Sequence, residues 1–147
     1  MVDPRVKGAT GELKVRDILR EATGLKWERV PGSGALNEKH GLKGDLYVPN
    51  ESNLYCVEVK NYEEDHLTSK ILTGKSPQIM EWWSQAIRQG EQVSRKPLLI
   101  FKFNRSKIFV AYQDIPSTDV KTMLILDTFY VSLLEEWLDK EKPRFIK

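Results

Sequence analysis

The stretch GDLYVPNESNLYCVEVK, residues 44–60, contains two runs rich in apolar residues on either side of a polar segment. The runs Asp45–Val48 and Leu54–Lys60 have the composition of β-strands, and residues 49–53 have that of a turn. Two such strands joined by five polar residues predict a β-hairpin. The second run is apolar enough to lie inside a sheet rather than at its edge.

Two charged residues interrupt the second predicted strand. Because side chains alternate between the faces of a strand, Glu58 and Lys60 share one face. The opposite face is apolar and carries Tyr55, Val57 and Val59. Asp45 begins the partner strand, so the hairpin predicts two carboxylates and one ammonium group at one place on a central strand.

Apolar periodicity on either side of the hairpin predicts the other elements. In chain order they are a helix over Thr10–Thr23 capped by Gly24, a strand over Trp27–Val30, a turn over 31–35, a loop over 61–75, a helix beginning at Ser76-Pro77, strands over Leu98–Phe103, Ile108–Tyr112 and Met123–Leu126, and a closing amphipathic helix with Tyr130, Leu133, Leu134, Trp137 and Leu138 inward. The order α-β-β-β-α-β-β-β-α predicts an α/β fold in which helices pack on a mixed sheet.

Composition limits the class of protein. The chain has 147 residues, 40% hydrophobic and 30% charged, which is typical of one globular domain over 1–147 and excludes a disordered or fibrous class. No apolar run is long enough to cross a membrane, and the N-terminal residues lack the apolar core of a signal peptide, so we expect a cytoplasmic protein. A single cysteine, Cys56, excludes an intramolecular disulfide and a cysteine-based zinc cluster.

The charge is unevenly distributed along the chain. The net charge is only +2, but residues 1–43 carry nine basic against six acidic residues and residues 60–107 carry nine against five. Residues 127–142 carry two basic against five acidic residues. This distribution is compatible with a surface that attracts a polyanion to one side, and equally with an ordinary mixed surface.

The predicted carboxylate pair indicates a metal site. Two neighbouring carboxylates repel each other unless one is protonated or a cation lies between them, and oxygen ligands are those that Mg²⁺ prefers. Asp45 and Glu58 would hold the ion with the backbone carbonyl of Val59, and Lys60 would orient the attacking water or neutralise developing charge. The chemistry is that of phosphodiester hydrolysis. The alternative is a structural ion pair between Glu58 and Lys60.

A third carboxylate, Glu12, opens an otherwise apolar stripe on the first helix, formed with Val15, Leu19 and Ala22. It is either a favourable charge near the helix N-terminus or a further metal ligand, direct or through water.

Four blocks of the chain resemble the PD-(D/E)XK nucleases, and among them the archaeal-type Holliday junction resolvases. The blocks are residues 5–13, 29–35, 44–48 and 57–60, in the order and spacing of that family. The resemblance implies a restriction-endonuclease-like core, a homodimer with two active sites, and cutting of four-way DNA junctions that depends on Mg²⁺, for which Mn²⁺ can substitute.

The resemblance also implies roles for individual residues. Glu12, Asp45 and Glu58 fall on metal-binding positions, Lys60 on the catalytic lysine, and Ser33 on a catalytic serine near the scissile phosphate. A DNA-binding position falls on Arg29. Further candidates for DNA binding are Arg5 and Lys7, in the basic first block, and Lys70, Lys75 and Gln85. The chain departs from the family where Gly44 replaces the proline of the motif and where residues 61–75 form a longer segment.

Three functions remain open at the level of sequence. The first is a nuclease that resolves four-way junctions, and the second is another PD-(D/E)XK nuclease acting on linear or nicked DNA. The third is a DNA-binding protein that keeps the fold without cutting. The intact set of Asp45, Glu58 and Lys60 argues against the third function, and a comparison of junction with duplex cleavage separates the first two.

Overall fold

The computed structural model describes residues 4–31, 43–62, 77–103, 106–121, 123–126 and 128–147. The helices are α1 (Pro4–Thr23), α2 (Pro77–Gln92) and α3 (Leu134–Glu136), which continues as a π-helical turn over Trp137–Glu141. The strands are β1 (Glu28–Arg29), β2 (Leu46–Tyr47), β3 (Tyr55–Tyr62), β4 (Lys96–Phe103), β5 (Ile108–Tyr112), β6 (Met123–Leu126) and β7 (Phe129–Leu133).

All seven strands belong to one sheet in the order β1-β2-β3-β4-β5-β7-β6. Strands β3 and β4 pair in parallel, and the other neighbours pair antiparallel. A parallel pair needs a crossover connection, and α2 lies in it. The structure therefore confirms the predicted α/β class, a mixed sheet flanked by helices.

The two faces of the sheet bury separate apolar clusters. Residues of α1, α3 and the C-terminal segment pack with Val57 and Val59 on one face. The apolar side of α2 packs with Leu99 and Phe101 on the other face. The two faces are hereafter called the α1 face and the α2 face.

The predicted hairpin is confirmed, but its first strand is shorter than predicted and its second strand extends further along the chain. Leu46 of β2 lies opposite Val57 of β3, and β3 continues to Tyr62, so residues 61 and 62 are strand rather than loop. The buried side chain of Asn53 closes the turn, because its amide accepts a hydrogen bond from Val48 N–H and donates one to Val48 O. The remainder of the predicted loop, 63–75, lies outside the described residues.

The first helix is also confirmed, but it begins at Pro4 rather than Thr10. It ends where predicted, since Gly24 has a φ of 73° and donates its N–H to Arg20 O over 2.9 Å. Val15 and Leu19 are buried, whereas Ala22 is exposed. The predicted apolar stripe is therefore wrong at its last position.

The predicted closing helix is wrong in its first half. Tyr130 and Leu133 lie in β7, which pairs with β5 on one side and β6 on the other. Their spacing fits a helix, but hydrogen bonding to two neighbouring strands outweighs this local preference. Leu134, Trp137 and Leu138 do lie in the helical turns that follow, and they are buried.

The remaining predicted strands and the second helix differ at most in their ends, whereas the predicted turn over 31–35 lies outside the described residues from residue 32 onward. The strand predicted over Trp27–Val30 is confined to β1, and the one predicted over Leu98–Phe103 begins two residues earlier. The other two strands have the predicted bounds, and α2 begins at the predicted proline. Among the helices of the described ranges, none is long and apolar enough to span a membrane.

Candidate active site

Asp45 is fixed against β3 by both its backbone and its side chain. Its N–H donates to Val57 O over 2.7 Å, which continues the pairing of β2 with β3. Its Oδ2 accepts a hydrogen bond of 2.7 Å from Val59 N–H. Strand β2 is only two residues long, so it offers no backbone acceptor to Val59 N–H. The carboxylate of Asp45 accepts that hydrogen bond instead.

Glu58 lies on the α2 face, in register with Leu99 of β4. It is only 3% exposed, and its Oε1 has no hydrogen-bond partner among the described residues. Burial raises the pKa of Glu58 to about 8, and the charge and hydrogen bond of Asp45 add to the effect, while Lys60 opposes it. The carboxylate therefore has no cation in direct contact with it among the described residues, and a metal ion between it and Asp45 would supply one.

Glu12 reaches the same place from α1, where Gly11 packs beside Asn61 of β3. Burial raises the pKa of Glu12, the hydrogen bond from Arg29 opposes this, and the charge of Asp45 raises it further. Arg29 Nε donates to Glu12 Oε2 over 2.8 Å. The structure thus brings Glu12, Asp45 and Glu58 together, and it places the predicted DNA-binding arginine on one of these carboxylates.

Lys60 follows Glu58 on the α2 face, in register with Phe101. Both residues are described, and they make no ion pair within 4.0 Å. The alternative interpretation, a structural Glu58–Lys60 ion pair, is therefore wrong. Lys60 instead lies on the wall of a cleft that Gln85 of α2 also lines.

The oxygen donors fit a hydrated divalent cation. In a strand, the N–H and C=O of one residue point to the same side, so Val59 O lies on the side where its N–H meets Asp45. Within the described ranges, no group of three or more His, Cys, Asp or Glu is arranged to hold a metal ion by itself. Two carboxylates, one carbonyl and several waters match the coordination of Mg²⁺, which keeps part of its water shell.

Gly44 shows why the motif proline is absent. Its φ of 87° is incompatible with proline, whose ring fixes φ near −65°. A Cβ at this position would lie 2.6 Å from Val57 O. The close approach of Gly44 to β3 brings Asp45 to the strand, and it requires glycine.

Sequence reasoning missed Gln89. Its Oε1 accepts a hydrogen bond of 3.2 Å from Gly44 N–H, so it connects α2 to the residue that precedes Asp45. Gln85 lies one turn earlier on the same side of the helix, and periodicity alone does not distinguish the two glutamines. What distinguishes Gln89 from Gln85 is its hydrogen bond to Gly44. This is a tertiary contact, which the local sequence pattern does not contain.

Several predicted site residues lie outside what the structure describes. Ser33, Lys70 and Lys75 are outside the described residues. Arg5 and Lys7 lie in the first turns of α1, where the backbone is described and the side chains are not.

Known proteins resemble this chain along most of its length. The family described as "Phage putative PDDEXK endonuclease" matches residues 3–138. Protein D14 of Escherichia phage T5 is 45% identical over 148 residues, which cover 93% of this chain and 92% of that protein. The solved structure of Hjc, a Holliday junction resolvase from the archaeal hyperthermophile Archaeoglobus fulgidus, is 14% identical, with a TM-score of 0.43 over 89% of this chain and 87% of that one.

Proposed function

Since the chain belongs to the phage PD-(D/E)XK endonuclease family and is therefore a nuclease with a restriction-endonuclease-like core, we propose that it is a Mg²⁺-dependent endonuclease that resolves four-way DNA junctions. Nucleases of this family use divalent metal ions. Family membership does not specify the ion, the residues that hold it or the branched substrate, and these three points are what we propose.

The observation that carries the proposal is the environment of Glu58. A carboxylate that is 3% exposed, with one oxygen unpartnered among the described residues and a second carboxylate beside it, is costly in the absence of a cation. Asp45 is already oriented by Val59 N–H, so the pair is organised before any ion arrives. Such an arrangement lowers the stability of the fold without metal and favours metal binding.

We assign the roles of the residues as follows. Asp45, Glu58 and the carbonyl of Val59 hold the ion, and Glu12 acts through a water because Arg29 occupies its Oε2. A bound Mg²⁺ lowers the pKa of its water and offsets negative charge on a phosphate.

Lys60 makes no ion pair with any described residue, so its ammonium group is available to orient the attacking water or to neutralise charge at the scissile phosphate. Ser33 contributes at the same phosphate, as the resemblance implies. Contacts to the DNA backbone are made by Arg5, Lys7, Arg29, Lys70, Lys75 and Gln85.

The branched substrate is supported by the four sequence blocks within residues 5–60, which follow the order and spacing of the junction resolvases. A junction must be cut on two strands, and a homodimer would provide one active site for each cut. Substrate choice in such an enzyme depends on the geometry of the dimer and on contacts to the DNA backbone rather than on base readout.

The experiment compares a synthetic four-way junction with a linear duplex of the same arm sequence in Mg²⁺. We expect paired symmetric nicks in the junction and little cutting of the duplex. Asp45→Asn and Lys60→Ala should bind the junction normally and cut at least about 100-fold more slowly, because each removes a group that acts on the reacting phosphate.

A matched control is Lys107→Ala, which removes an exposed lysine paired with Glu135 and should cut normally. Equal cleavage of junction and duplex would instead indicate a nuclease for linear or nicked DNA. Junction binding without any cutting by the wild type, in Mg²⁺ or Mn²⁺, would indicate a protein that retains only binding.

A further inference from the structure

A cleft of about 590 Å³ lies beside Lys60, between β3 and the exposed side of α2. Its polar lining consists of Lys60, Glu81, Ser84, Gln85 and Arg88. The four residues from α2 follow the pattern i, i+3, i+4, i+7, which places them on one side of the helix as a polar stripe. The residues that bury α2 against the sheet lie on its other side, so this polar stripe is not required for packing.

Charge is distributed unevenly along this stripe. Arg88 is exposed and makes no ion pair with any residue that the structure describes. Glu81 is seven residues away, which is about 10 Å along the helix axis, and therefore does not neutralise Arg88 directly. Lys60 also lines the cleft, so its lining carries two cations and one carboxylate, together with the hydrogen-bond donors Ser84 and Gln85.

We propose that this cleft is a subsite for a non-scissile phosphate of the DNA strand being cut, with Arg88 as its charged contact and Ser84 and Gln85 as neutral donors. This inference rests on the proposed function, because Lys60 is shared with the active site. A guanidinium matches the geometry of a phosphate, and hydroxyl and amide groups are common donors to the DNA backbone.

The lining favours a phosphate over a base. The one aromatic ring at the cleft, Trp82, is only 8% exposed and presents too little of its surface to stack on a base. Glu81 would repel an anion at the far end of the stripe, which confines the phosphate to the end near Arg88.

The subsite is also mechanically connected to the active site. The bond from Gly44 N–H to Gln89 Oε1 ties α2 to the turn that carries Asp45, one residue beyond Arg88 along the helix. One strand can therefore present its scissile phosphate near Lys60 and a neighbouring phosphate near Arg88. In this arrangement, Arg88 sets where along the strand the cut is made.

The test is a scan in which each phosphate near the branch point of a junction is replaced in turn by a neutral methylphosphonate, with binding measured in Ca²⁺ and a duplex scanned in parallel. For the wild type we expect weakened binding at a neighbouring phosphate as well as at the scissile one. Arg88→Ala should lower affinity about tenfold or more, reduce the salt slope by about one, and abolish sensitivity at the neighbouring phosphate only. Arg88→Lys should restore part of the affinity.

The matched control is Arg144→Ala, since Arg144 lies next to Phe145 on the α1 face; it should leave the scan unchanged. If Arg88→Ala keeps wild-type affinity and the wild-type pattern of sensitivity, the subsite is overturned. Melting temperatures of all variants establish that they are folded. The binding readout does not require cutting, so a wild type that cleaves neither DNA would overturn the proposed function while the methylphosphonate pattern still decides the subsite.

Discussion

At Glu58, the requirements of folding oppose those of the proposed metal binding. Its burial on the α2 face favours the protonated carboxyl group, whereas metal binding requires the carboxylate. The pKa raised to about 8 thus describes the protein without metal. Folding fixes the buried position of the Glu58 side chain, and a bound cation would balance the negative charge of its carboxylate there.

The raised pKa of Glu58 predicts how stability depends on pH. Between its ordinary value of 4.5 and the folded value of about 8, the folded protein keeps a proton that the unfolded chain has lost. In EDTA, the free energy of unfolding should therefore fall as pH rises through this window, and Glu58 contributes at most about 1.4 kcal/mol per pH unit to that slope. Urea unfolding from pH 5 to 8.5 measures this slope.

Glu58→Gln is the control for that slope, because its amide does not titrate. It should flatten the pH dependence without abolishing it, since the pKa of Glu12 is also raised and contributes with the same sign. Saturating Mg²⁺ should stabilise the wild type most at high pH and the variant much less. Identical slopes in the two proteins would refute the assignment of the buried charge to Glu58.

Two glycines allow backbone strain to be separated from site geometry. Gly24 and Gly44 both have positive φ, but a Cβ on Gly24 meets nothing within 4 Å, whereas one on Gly44 lies 2.6 Å from Val57 O. Gly24→Ala should cost about 1 kcal/mol of stability and leave cleavage unchanged. Gly44→Ala should cost more and should also raise the Mg²⁺ concentration for half-maximal cleavage, because Asp45 is displaced. Equal effects on the Mg²⁺ requirement would contradict this distinction.

At the level of elements, α2 does more than cover the sheet. It connects β3 to the parallel strand β4, lines the cleft beside Lys60, and holds Gly44 through Gln89. The helix thereby links the strand that carries Glu58 to the turn that carries Asp45. A shift of α2 would therefore change the position of Asp45 relative to Glu58, the two carboxylates of the proposed metal site.

Gln89→Ala tests this connection. Loss of the acceptor for Gly44 N–H removes one hydrogen bond worth about 1 kcal/mol, so the Mg²⁺ concentration for half-maximal cleavage should rise about fivefold. Cleavage at saturating Mg²⁺ should change little, which distinguishes positioning from catalysis. Gln92→Ala, an exposed glutamine at the end of the same helix, is the control and should have no effect. A lower maximal rate with an unchanged Mg²⁺ requirement would exclude the positioning role.

The elements differ in how well the sequence predicts them. The hairpin is predictable because a period of two and a polar turn are local features, and its alternation correctly places Glu58 and Lys60 on one face. β7 is not predictable in this way, because the spacing of Tyr130 and Leu133 also fits a helix and pairing with distant strands decides the outcome. The bond from Gly44 to Gln89 likewise depends on residues 45 positions apart.

On the scale of the whole molecule, the described residues contain one set of Asp45, Glu58 and Lys60 on one sheet. Resolution of a four-way junction needs two cuts on different strands. One chain with one such set of residues is therefore insufficient for making both cuts together. The proposed function therefore requires two chains on each junction. Sedimentation should show twice the chain mass for the free protein, and two chains for each junction in the complex with DNA.

Mixed dimers test whether the two cuts come from two chains. On a supercoiled plasmid with an extruded cruciform, two cuts within one binding event give a linear product, whereas a single cut releases the supercoiling that maintains the cruciform and gives a nicked circle. Wild type should therefore yield mainly linear DNA. Dimers that pair wild type with Asp45→Asn should yield mainly nicked circles, because the variant chain binds its strand without cutting it. If these mixed dimers still produce mainly linear DNA, one active site makes both cuts, and the requirement for two catalytic chains is wrong.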